Sequence, residues 1–408
     1  MTQVSRFAFL DLLRAFAAQM IVWHHLAYYG PLSDFAHTIA AGPIDWLYEY
    51  GRFAVQVFFV LGGYCLALGR LKRRPPAGLR DAGRLIVDRY LRIGLPYLLA
   101  LGLAIIANEI AAVYMQHPSI SPRPTPGQLL AHVVLIHKVL GYESLSAGIW
   151  YVAIDLQLIA LVGLVYALGA RLSSQRGSLI ARWTLLGLGL LSAVFWNRVP
   201  RLDCFAIYFL ASYVLGMAVA WVKHGDLSRP AFWAYVGATA LALHVDFRGR
   251  LVVVIMTAAI LAVAQGQGWL TRLSSPGPLR SLADMSYSLF LVHFPTCLLV
   301  NAWWSSHLPP DPWLSMVGML VAWGLSLVAA FAFYHLVEKR LSDLRHARPR
   351  PVVPEPQQQP AEMRGAGPHA GRIIVAAKPT RDRIEAGLAW DRSASEWRTE
   401  KVTSSRTM

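Results

Sequence analysis

Residues 91–114, with the sequence LRIGLPYLLALGLAIIANEIAAVY, form a long apolar run with only two charged side chains, Arg92 and Glu109. About 20 consecutive apolar residues suffice for a helix to cross a bilayer. Backbone N–H and C=O groups inside lipid must find partners within the protein, so such a segment has to be helical where it crosses. The run therefore predicts an α-helical membrane protein.

Similar apolar runs recur along the chain, separated by short polar stretches. Hydrophobic residues make up 55% of the 408 residues and charged residues only 15%, a composition that argues against a soluble enzyme. We expect an all-α, polytopic integral membrane protein with about ten transmembrane helices. The other clear runs are residues 10–28, 55–68, 149–168, 204–221, 287–304 and 313–336, and three shorter runs are residues 183–196, 231–243 and 251–264.

The distribution of basic residues predicts the orientation of these helices. The chain has 38 Lys and Arg against 23 Asp and Glu, a formal net charge of +15. Eight basic residues lie within residues 70–92, whereas residues 30–50 contain none. Because cytoplasmic loops carry the excess of Lys and Arg, we expect the first loop outside, the second inside and both termini in the cytoplasm. The positive charge thus indicates membrane orientation, and no nucleic-acid partner is predicted.

The composition changes towards the C-terminus. Residues 1–341 form the predicted transmembrane domain, whereas residues 342–408 are rich in Pro, Gln, Arg and Ala and have too little apolar content to form a core. This second segment is predicted to be a disordered, basic cytoplasmic tail. Cys65, Cys204 and Cys297 each lie in an apolar run and have no Cys-x-x-Cys spacing, so neither a metal site nor a bound cofactor is expected.

Ionisable side chains inside apolar runs are candidates for function, because a charge within a bilayer is costly unless it faces a partner or a cavity. Arg14 and His25 are eleven positions apart in the first run. At about 100° per residue they share one face of a helix, about 16 Å apart along its axis. An imidazole is the usual general base near neutral pH. The same residues also fit headgroup contact by Arg14 and a proton pathway through His25.

Five further ionisable residues lie in or beside the later runs. Arg89 and Arg92 share a helix face at the expected cytoplasmic mouth of the third helix, where two guanidinium groups suit phosphate binding. Asp155 lies a little over one turn into the fourth helix. It could orient the imidazolium of His25 or help to hold an acceptor hydroxyl. Glu109 is a weaker candidate of the same kind, and His293 fits a structural role as well as a catalytic one.

These segments, in this order, resemble the acyltransferase-3 family of integral-membrane O-acyltransferases. The resemblance covers about residues 6–341 and rests on the ordered co-occurrence of the motifs, each of which is weak alone. The motifs are FLDLLR (9–14) with His25, VFFVLGGY (57–64), RYLR (89–92), WYVAIDLQ (150–157), SYSLFLVHFP (286–295) and YHLVEK (334–339).

The resemblance implies roles for residues in three of these motifs. Arg14 and His25 correspond to the pair that the family is thought to use in catalysis. The RYLR motif corresponds to an element thought to contact the acyl donor, here through Arg89 and Arg92.

The WYVAIDLQ motif places Trp150, Asp155 and Gln157 in the site. Asp155 is a further catalytic candidate, and Trp150 and Gln157 are expected to bind substrate. Many members of the family have Glu where this chain has Asp155, and many have Ser where this chain has Gly62. If that serine carried the acyl group, this chain could not use it, which favours either direct transfer assisted by His25 or transfer through a carrier residue that the sequence does not identify.

The resemblance implies a multi-pass enzyme of the bacterial inner membrane. Its expected donor is a cytoplasmic acyl-CoA, with acetyl-CoA foremost, and its expected acceptor is a hydroxyl group of a cell-surface or exported glycan or lipid-linked sugar. The alternative is a secondary transporter in which Arg14, His25 and Glu109 form a proton or anion pathway. The sequence shows no inverted repeat, which is a frequent feature of such transporters.

Overall fold

The structure is a computed structural model that describes residues 7–272 and 274–347. All regular structure in these residues is helical, which confirms the all-α prediction. The α-helices are α1 (Ala8–Leu26), α2 (Pro31–Tyr50), α3 (Val55–Leu66), α4 (Leu79–Tyr114), α5 (Pro126–Val133), α6 (Trp150–Leu172), α7 (Gly177–Val194), α8 (Ala206–His224), α9 (Arg229–Val245), α10 (Gly249–Gly266), α11 (Trp269–Arg272), α12 (Gly277–Asp284), α13 (Ser286–His307), α14 (Pro312–Phe333) and α15 (Lys339–Ala347).

Two helices continue into π-helical turns. The segment Ala67–Leu71 extends α3, and Tyr334–Glu338 connects α14 to α15. Single π turns are rare and often lie at functional sites. Three 3₁₀ segments complete the described helical structure: Gly51–Ala54, Trp196–Arg198 and Pro200–Leu202.

Each of the ten apolar runs identified in the sequence coincides with a helical segment, to within two residues at its ends. Among the described residues, seven helical segments are long and apolar enough to cross a membrane, and an eighth qualifies if α12 and α13, which meet at an angle of 69°, form one broken span. The helix α9 has only 17 residues, and α1 contains charged, amide and imidazole side chains that lower its hydropathy. Ten spans and the cytoplasmic position of both termini therefore stay predictions.

Helix α8 lies at the centre of the bundle and is buried along nearly its whole length. Close approach to α3 depends on two glycines, because a Cβ atom on Gly63 would overlap the backbone carbonyl of Tyr213, and one on Gly216 would overlap that of Val60. The backbones of the two helices thus touch directly, as small residues allow in membrane proteins. This contact holds α3 and α8 against α6 and brings side chains of all three together.

Helix α15 continues to Ala347, beyond the boundary between residues 341 and 342 at which the predicted disordered tail begins. The first residues of that tail are therefore helical, because they continue the turn that leaves α14. The rest of the predicted tail lies outside the described residues.

Candidate active site

Two buried imidazoles meet between α1 and α13. Atom Nδ1 of His25 lies 2.6 Å from Nε2 of His293. The ring centroids are 4.8 Å apart and the ring planes differ by 8°, so the hydrogen bond lies close to the plane of both rings. The exposed fraction is 8% for His25 and 0% for His293. The structure thus joins two candidates that the sequence places 268 positions apart.

The hydrogen bonds define which nitrogens of the neutral pair carry hydrogen. Nδ1 of His293 lies 2.9 Å from the carbonyl oxygen of Leu289, and a carbonyl oxygen can only accept, so this Nδ1 is protonated. Nε2 of His293 is then an acceptor, and it receives the N–H of Nδ1 of His25. The lone pair therefore lies on Nε2 of His25. A partner on one ring nitrogen that fixes the tautomer in this way prepares the other nitrogen as a base.

Arg14 contacts α3 rather than the imidazole that shares its helix face. Its Nη2 atom lies 3.4 Å from Sγ of Cys65. Because eleven helical residues correspond to about 16 Å along the axis, Arg14 and His25 can contact different parts of a substrate but not the same atom. Asp11, which lies one turn before Arg14, accepts a hydrogen bond of 2.9 Å from the hydroxyl group of Ser275.

A buried ion pair joins α4 and α6. Nε of Arg89 donates to Oδ2 of Asp155 over 2.7 Å, and the side chains are 27% and 1% exposed. The expectation that Asp155 orients His25 is therefore wrong, because the carboxylate is bound to Arg89 and the imidazole is bound to His293. The other carboxylate oxygen, Oδ1, is buried, and none of the described residues donates a hydrogen bond to it.

Two tyrosines, of which Tyr213 is buried, lie near the ion pair of Arg89 and Asp155. Tyr151, one turn before the aspartate on α6, interacts electrostatically with both members of the pair and with Arg14. Tyr213 on α8 also interacts with both members. The guanidinium of Arg14, the ion pair and their tyrosines thus form one cluster where α1, α3, α4, α6 and α8 converge.

An aromatic ring separates this cluster from the imidazoles. The ring of Phe290 lies 5.3 Å from that of Tyr151 and 6.4 Å from that of His293, measured between centroids. The candidate site therefore has two polar parts, the imidazole pair and the cluster around the ion pair, with apolar packing between them.

The structure separates the two arginines of the RYLR motif. Arg89 faces the bundle interior, whereas Arg92 is exposed and interacts electrostatically with Glu338. A guanidinium group already bound to a carboxylate is poorly placed to share one phosphate with its neighbour. The two guanidinium groups thus have different partners, and their joint binding of phosphate stays a prediction.

Glu109 has its ion-pair partner outside both parts of the candidate site. Its Oε2 atom lies 3.0 Å from Nε of Arg123, and its side chain is 38% exposed. The continuous pathway of Arg14, His25 and Glu109 that the transporter alternative requires is thus absent from the described residues. The glutamate instead forms an ion pair with the segment that follows α4.

Trp150 and Gln157 hold α6 against α8. The amide of Gln157 donates to the carbonyl of Cys204 over 3.1 Å and accepts from the backbone N–H of Ala206 over 3.0 Å, so both ends of its amide are bound at the start of α8. The ring of Trp150 packs 5.5 Å from that of Phe209. Both side chains therefore contribute to helix packing, and their expected contact with substrate stays a prediction.

Several polar residues near the site were not among the candidates expected from the sequence. The hydroxyl group of Ser288 donates to Oε2 of Glu338 over 2.6 Å. Glu338 lies two residues beyond the last apolar run, within the YHLVEK motif, and its ionisable side chain was the signal that could have assigned it a role. Tyr151, Tyr213 and Cys65 carried no such signal, because their residue types are common in buried helices.

Hydrogen bonding and proton transfer are the chemistry that these groups can perform. Within residues 7–272 and 274–347, no group of three or more His, Cys, Asp or Glu is placed to hold a metal ion. Searches of curated proteins and of solved structures found no match. The model of the acyltransferase-3 family, described as an acyltransferase domain, matches residues 7–335, and the chain therefore belongs to that family.

Proposed function

We propose that this protein transfers an acyl group, with acetyl foremost, from a cytoplasmic acyl-CoA to a hydroxyl group of a cell-surface or exported glycan or lipid-linked sugar, in the bacterial inner membrane. Membership of the acyltransferase-3 family supports a membrane acyltransferase in general. The donor, the acceptor and the direction of transfer are the proposed part.

The observation that carries the proposal is the hydrogen bond between His25 and His293. Because Nδ1 of His25 donates to the second ring, Nε2 of His25 is the nitrogen that can remove a proton from an acceptor hydroxyl. The positive charge that develops on His25 is then stabilised through the bond to Nε2 of His293. This role resembles that of the group that orients the histidine in a hydrolase triad.

In the proposed reaction, the acceptor oxygen loses its proton to His25 and attacks the carbonyl carbon of the thioester. The new C–O ester bond forms, the C–S bond breaks, and the CoA thiolate takes up the proton held by His25. The products are an O-acylated sugar and CoA with a free thiol group, so protons and electrons balance without a further reactant.

Arg14 is proposed to contact the donor. Its distance of about 16 Å from His25 along α1 is too large for it to stabilise an oxyanion formed beside the imidazole, so a more remote part of acyl-CoA is its expected partner. Arg92, exposed on α4, and the basic residues within 70–84 provide positive charge for the phosphates of CoA.

The test is acetyl transfer by the full-length protein in lipid nanodiscs, using labelled acetyl-CoA and glycan preparations with free hydroxyl groups. Replacement His25→Ala is expected to lower transfer by roughly 100-fold or more, the contribution typical of a general base. The matched control is His24→Ala, because the neighbouring imidazole contacts the carbonyl of Leu47 over 3.1 Å instead of His293. Substantial transfer by a correctly inserted His25→Ala variant would refute the base assignment, and uptake without a covalent product would indicate a transporter.

A further inference from the structure

A row of tyrosine rings leads from the imidazole pair to the surface of the protein. The ring of Tyr29 lies 5.6 Å from that of His25 and 4.5 Å from that of Tyr28, measured between centroids. The ring of Tyr28 in turn lies 5.1 Å from that of Tyr48 on α2, and the planes of these two rings differ by 26°. Two ring contacts therefore connect the exposed Tyr28 to the proposed base.

The outer two rings of this row are open to the surroundings. The exposed fraction is 46% for Tyr28 and 48% for Tyr48, compared with 8% for His25. Exposed aromatic rings are also common where a helix meets the surface of a membrane. Here, however, Asp45 lies three positions before Tyr48 on the same side of α2, and its side chain is 66% exposed. An exposed carboxylate beside the ring indicates water rather than lipid.

The two rings lie at the end of the bundle that is opposite to the basic segment of residues 70–84. Tyr48 precedes α3 and the basic segment follows its π turn. The intervening helical residues, 55–71, correspond to roughly 25 Å along the helix axis. A ligand on the tyrosines would thus approach the imidazoles from one end, while the expected phosphates of the donor would bind at the other.

Polar groups lie at the edge of these rings. The hydroxyl group of Tyr29 interacts electrostatically with Tyr28, Glu143 and Tyr48, and the side chain of Glu143 is 90% exposed. Burial, followed by these neighbours, raises the pKa of Tyr29 to about 12, so its hydroxyl group stays protonated near neutral pH. A phenol hydroxyl group can donate and accept a hydrogen bond, whereas a carboxylate accepts.

This combination matches the two kinds of surface that a sugar ring presents. The face of an aromatic ring carries partial negative charge and attracts the C–H groups on the face of a sugar. The hydroxyl groups of the sugar can meanwhile bind the phenol and carboxylate groups at the edge. A phosphate fits less well, because the carboxylate of Glu143 would repel it.

We propose that Tyr28 and Tyr48 bind a sugar ring of the acceptor, with Tyr29 and Glu143 as hydrogen-bonding groups at the edge of this tyrosine surface. The proposal rests on the proposed function, which makes the acceptor a sugar. The tyrosine surface is a binding element and takes no part in proton transfer. Its contribution is to hold the acceptor beside His25.

The experiment measures sugar binding and acetyl transfer separately, with the full-length protein in lipid nanodiscs. The binding probes are the methyl glycosides of glucose, galactose and N-acetylglucosamine, titrated by saturation-transfer NMR. For Tyr48→Ala we expect the dissociation constant of a bound glycoside to rise roughly 3- to 10-fold, the effect of losing one aromatic contact. Tyr48→Phe keeps the ring and should bind nearly as well as wild type. The turnover number at saturating acceptor should change little in either variant, because His25 and His293 are retained.

Tyr114→Ala is the matched control. Tyr114 is 57% exposed and lies at the same end of the bundle. Near the end of α13, Ser306 donates to the carbonyl of Tyr114 and Asn301 accepts from the backbone N–H of Leu32, close to the tyrosine surface. Loss of this exposed ring should leave glycoside binding unchanged.

Weaker glycoside binding by Tyr48→Ala, with recovery by Tyr48→Phe, supports the tyrosine surface. Unchanged binding by Tyr48→Ala, or equal weakening by Tyr114→Ala, would overturn it, and a loss of thermal stability alone would show that the rings only anchor the protein. If wild type binds a glycoside through Tyr48 but transfers no acetyl group, the proposed function fails and the surface stands. Wild-type protein that transfers acetyl groups but binds none of the glycosides would refute the surface and leave the proposed function intact.

Discussion

Nε2 of His293 accepts a hydrogen bond of 2.6 Å from Nδ1 of His25, and the lone pair of His25 therefore lies on its Nε2 atom. The backbone carbonyl of Leu289 completes the arrangement by accepting from Nδ1 of His293 over 2.9 Å. A residue of α13 therefore determines the tautomer of a residue of α1. In this arrangement His293 is a positioning residue and His25 is the base.

Replacement of His293 should separate these two roles. His293→Leu removes the acceptor for Nδ1 of His25. We expect the turnover number to fall roughly 10- to 100-fold, less than the roughly 100- to 10,000-fold contribution of a positioned base, because the base itself is retained. His293→Gln retains an acceptor oxygen at a similar reach and should recover much of the rate. The measurement is acetyl transfer at saturating acetyl-CoA.

Thermal unfolding of both His293 variants serves as the control for a merely structural effect. If the Gln and Leu variants are equally stable and equally impaired, the tautomer argument fails. Recovery by Gln at equal stability supports it.

The ion pair of Arg89 and Asp155 should show strong coupling in a double-mutant cycle. Arg89→Met leaves an uncompensated carboxylate that is 1% exposed, and we expect a loss of about 3–5 kcal/mol in the free energy of unfolding. Adding Asp155→Asn removes the second charge at nearly constant volume and should restore a large part of that loss. Thermal or chemical unfolding in detergent provides the measurement, and strictly additive effects would contradict the pairing.

The contact of α3 with α8 predicts a large effect of one added methyl group. Gly63→Ala would place a Cβ atom onto the backbone carbonyl of Tyr213, so the two helices would have to separate, at a cost of about 3 kcal/mol. Gly69→Ala on the π turn that follows meets nothing within 4 Å and should change stability by less than about 0.5 kcal/mol. The yield of monodisperse protein and the unfolding temperature report the difference. Equal behaviour of the two variants would rule out the direct backbone contact.

The segment between α4 and α6 should lose stability in acid. The rings of His132 and His137 stack with centroids 4.0 Å apart, and both residues are 0% exposed. Burial, followed by the charges of His132 and Lys138, lowers the pKa of His137 from 6.5 to about 3. In the unfolded chain His137 is protonated below about pH 6.5, whereas in the folded chain it stays neutral until about pH 3. The free energy of unfolding therefore decreases as the pH falls from about 6.5 to about 3.

The variant that tests this effect is His137→Phe, which preserves a ring for stacking but cannot be protonated. Between pH 7.5 and pH 5.0 the wild type should lose on the order of 1 kcal/mol more than the variant. Groups near the ring that titrate or carry charge, His132, Lys138 and Glu143, are present in both proteins and cancel in the comparison. An equal loss in both proteins would show that His137 is not responsible.

Local composition was sufficient to predict the helical membrane architecture, and the order of the motifs along the chain indicated the family. Placing polar groups in lipid is costly, so segments that cross a membrane are long and apolar. Each of the ten apolar runs could therefore be recognised as helical from its own residues. The same cost marked Arg14, His25, Asp155 and His293 as exceptional. Periodicity along one helix also showed that Arg14 and His25 share a face, but it could not show what that face contacts.

Which side chains of different helices contact each other was decided by how the helices pack. His25 meets His293 across 268 positions and Arg89 meets Asp155 across 66, pairings that no local pattern encodes. They arise because glycine contacts hold α3 against α8 and because α13 begins at a bend with α12 and packs against α1 and α4. The residue types of this protein follow from the energetics of single helices in lipid, whereas the catalytic arrangement follows from how those helices pack together.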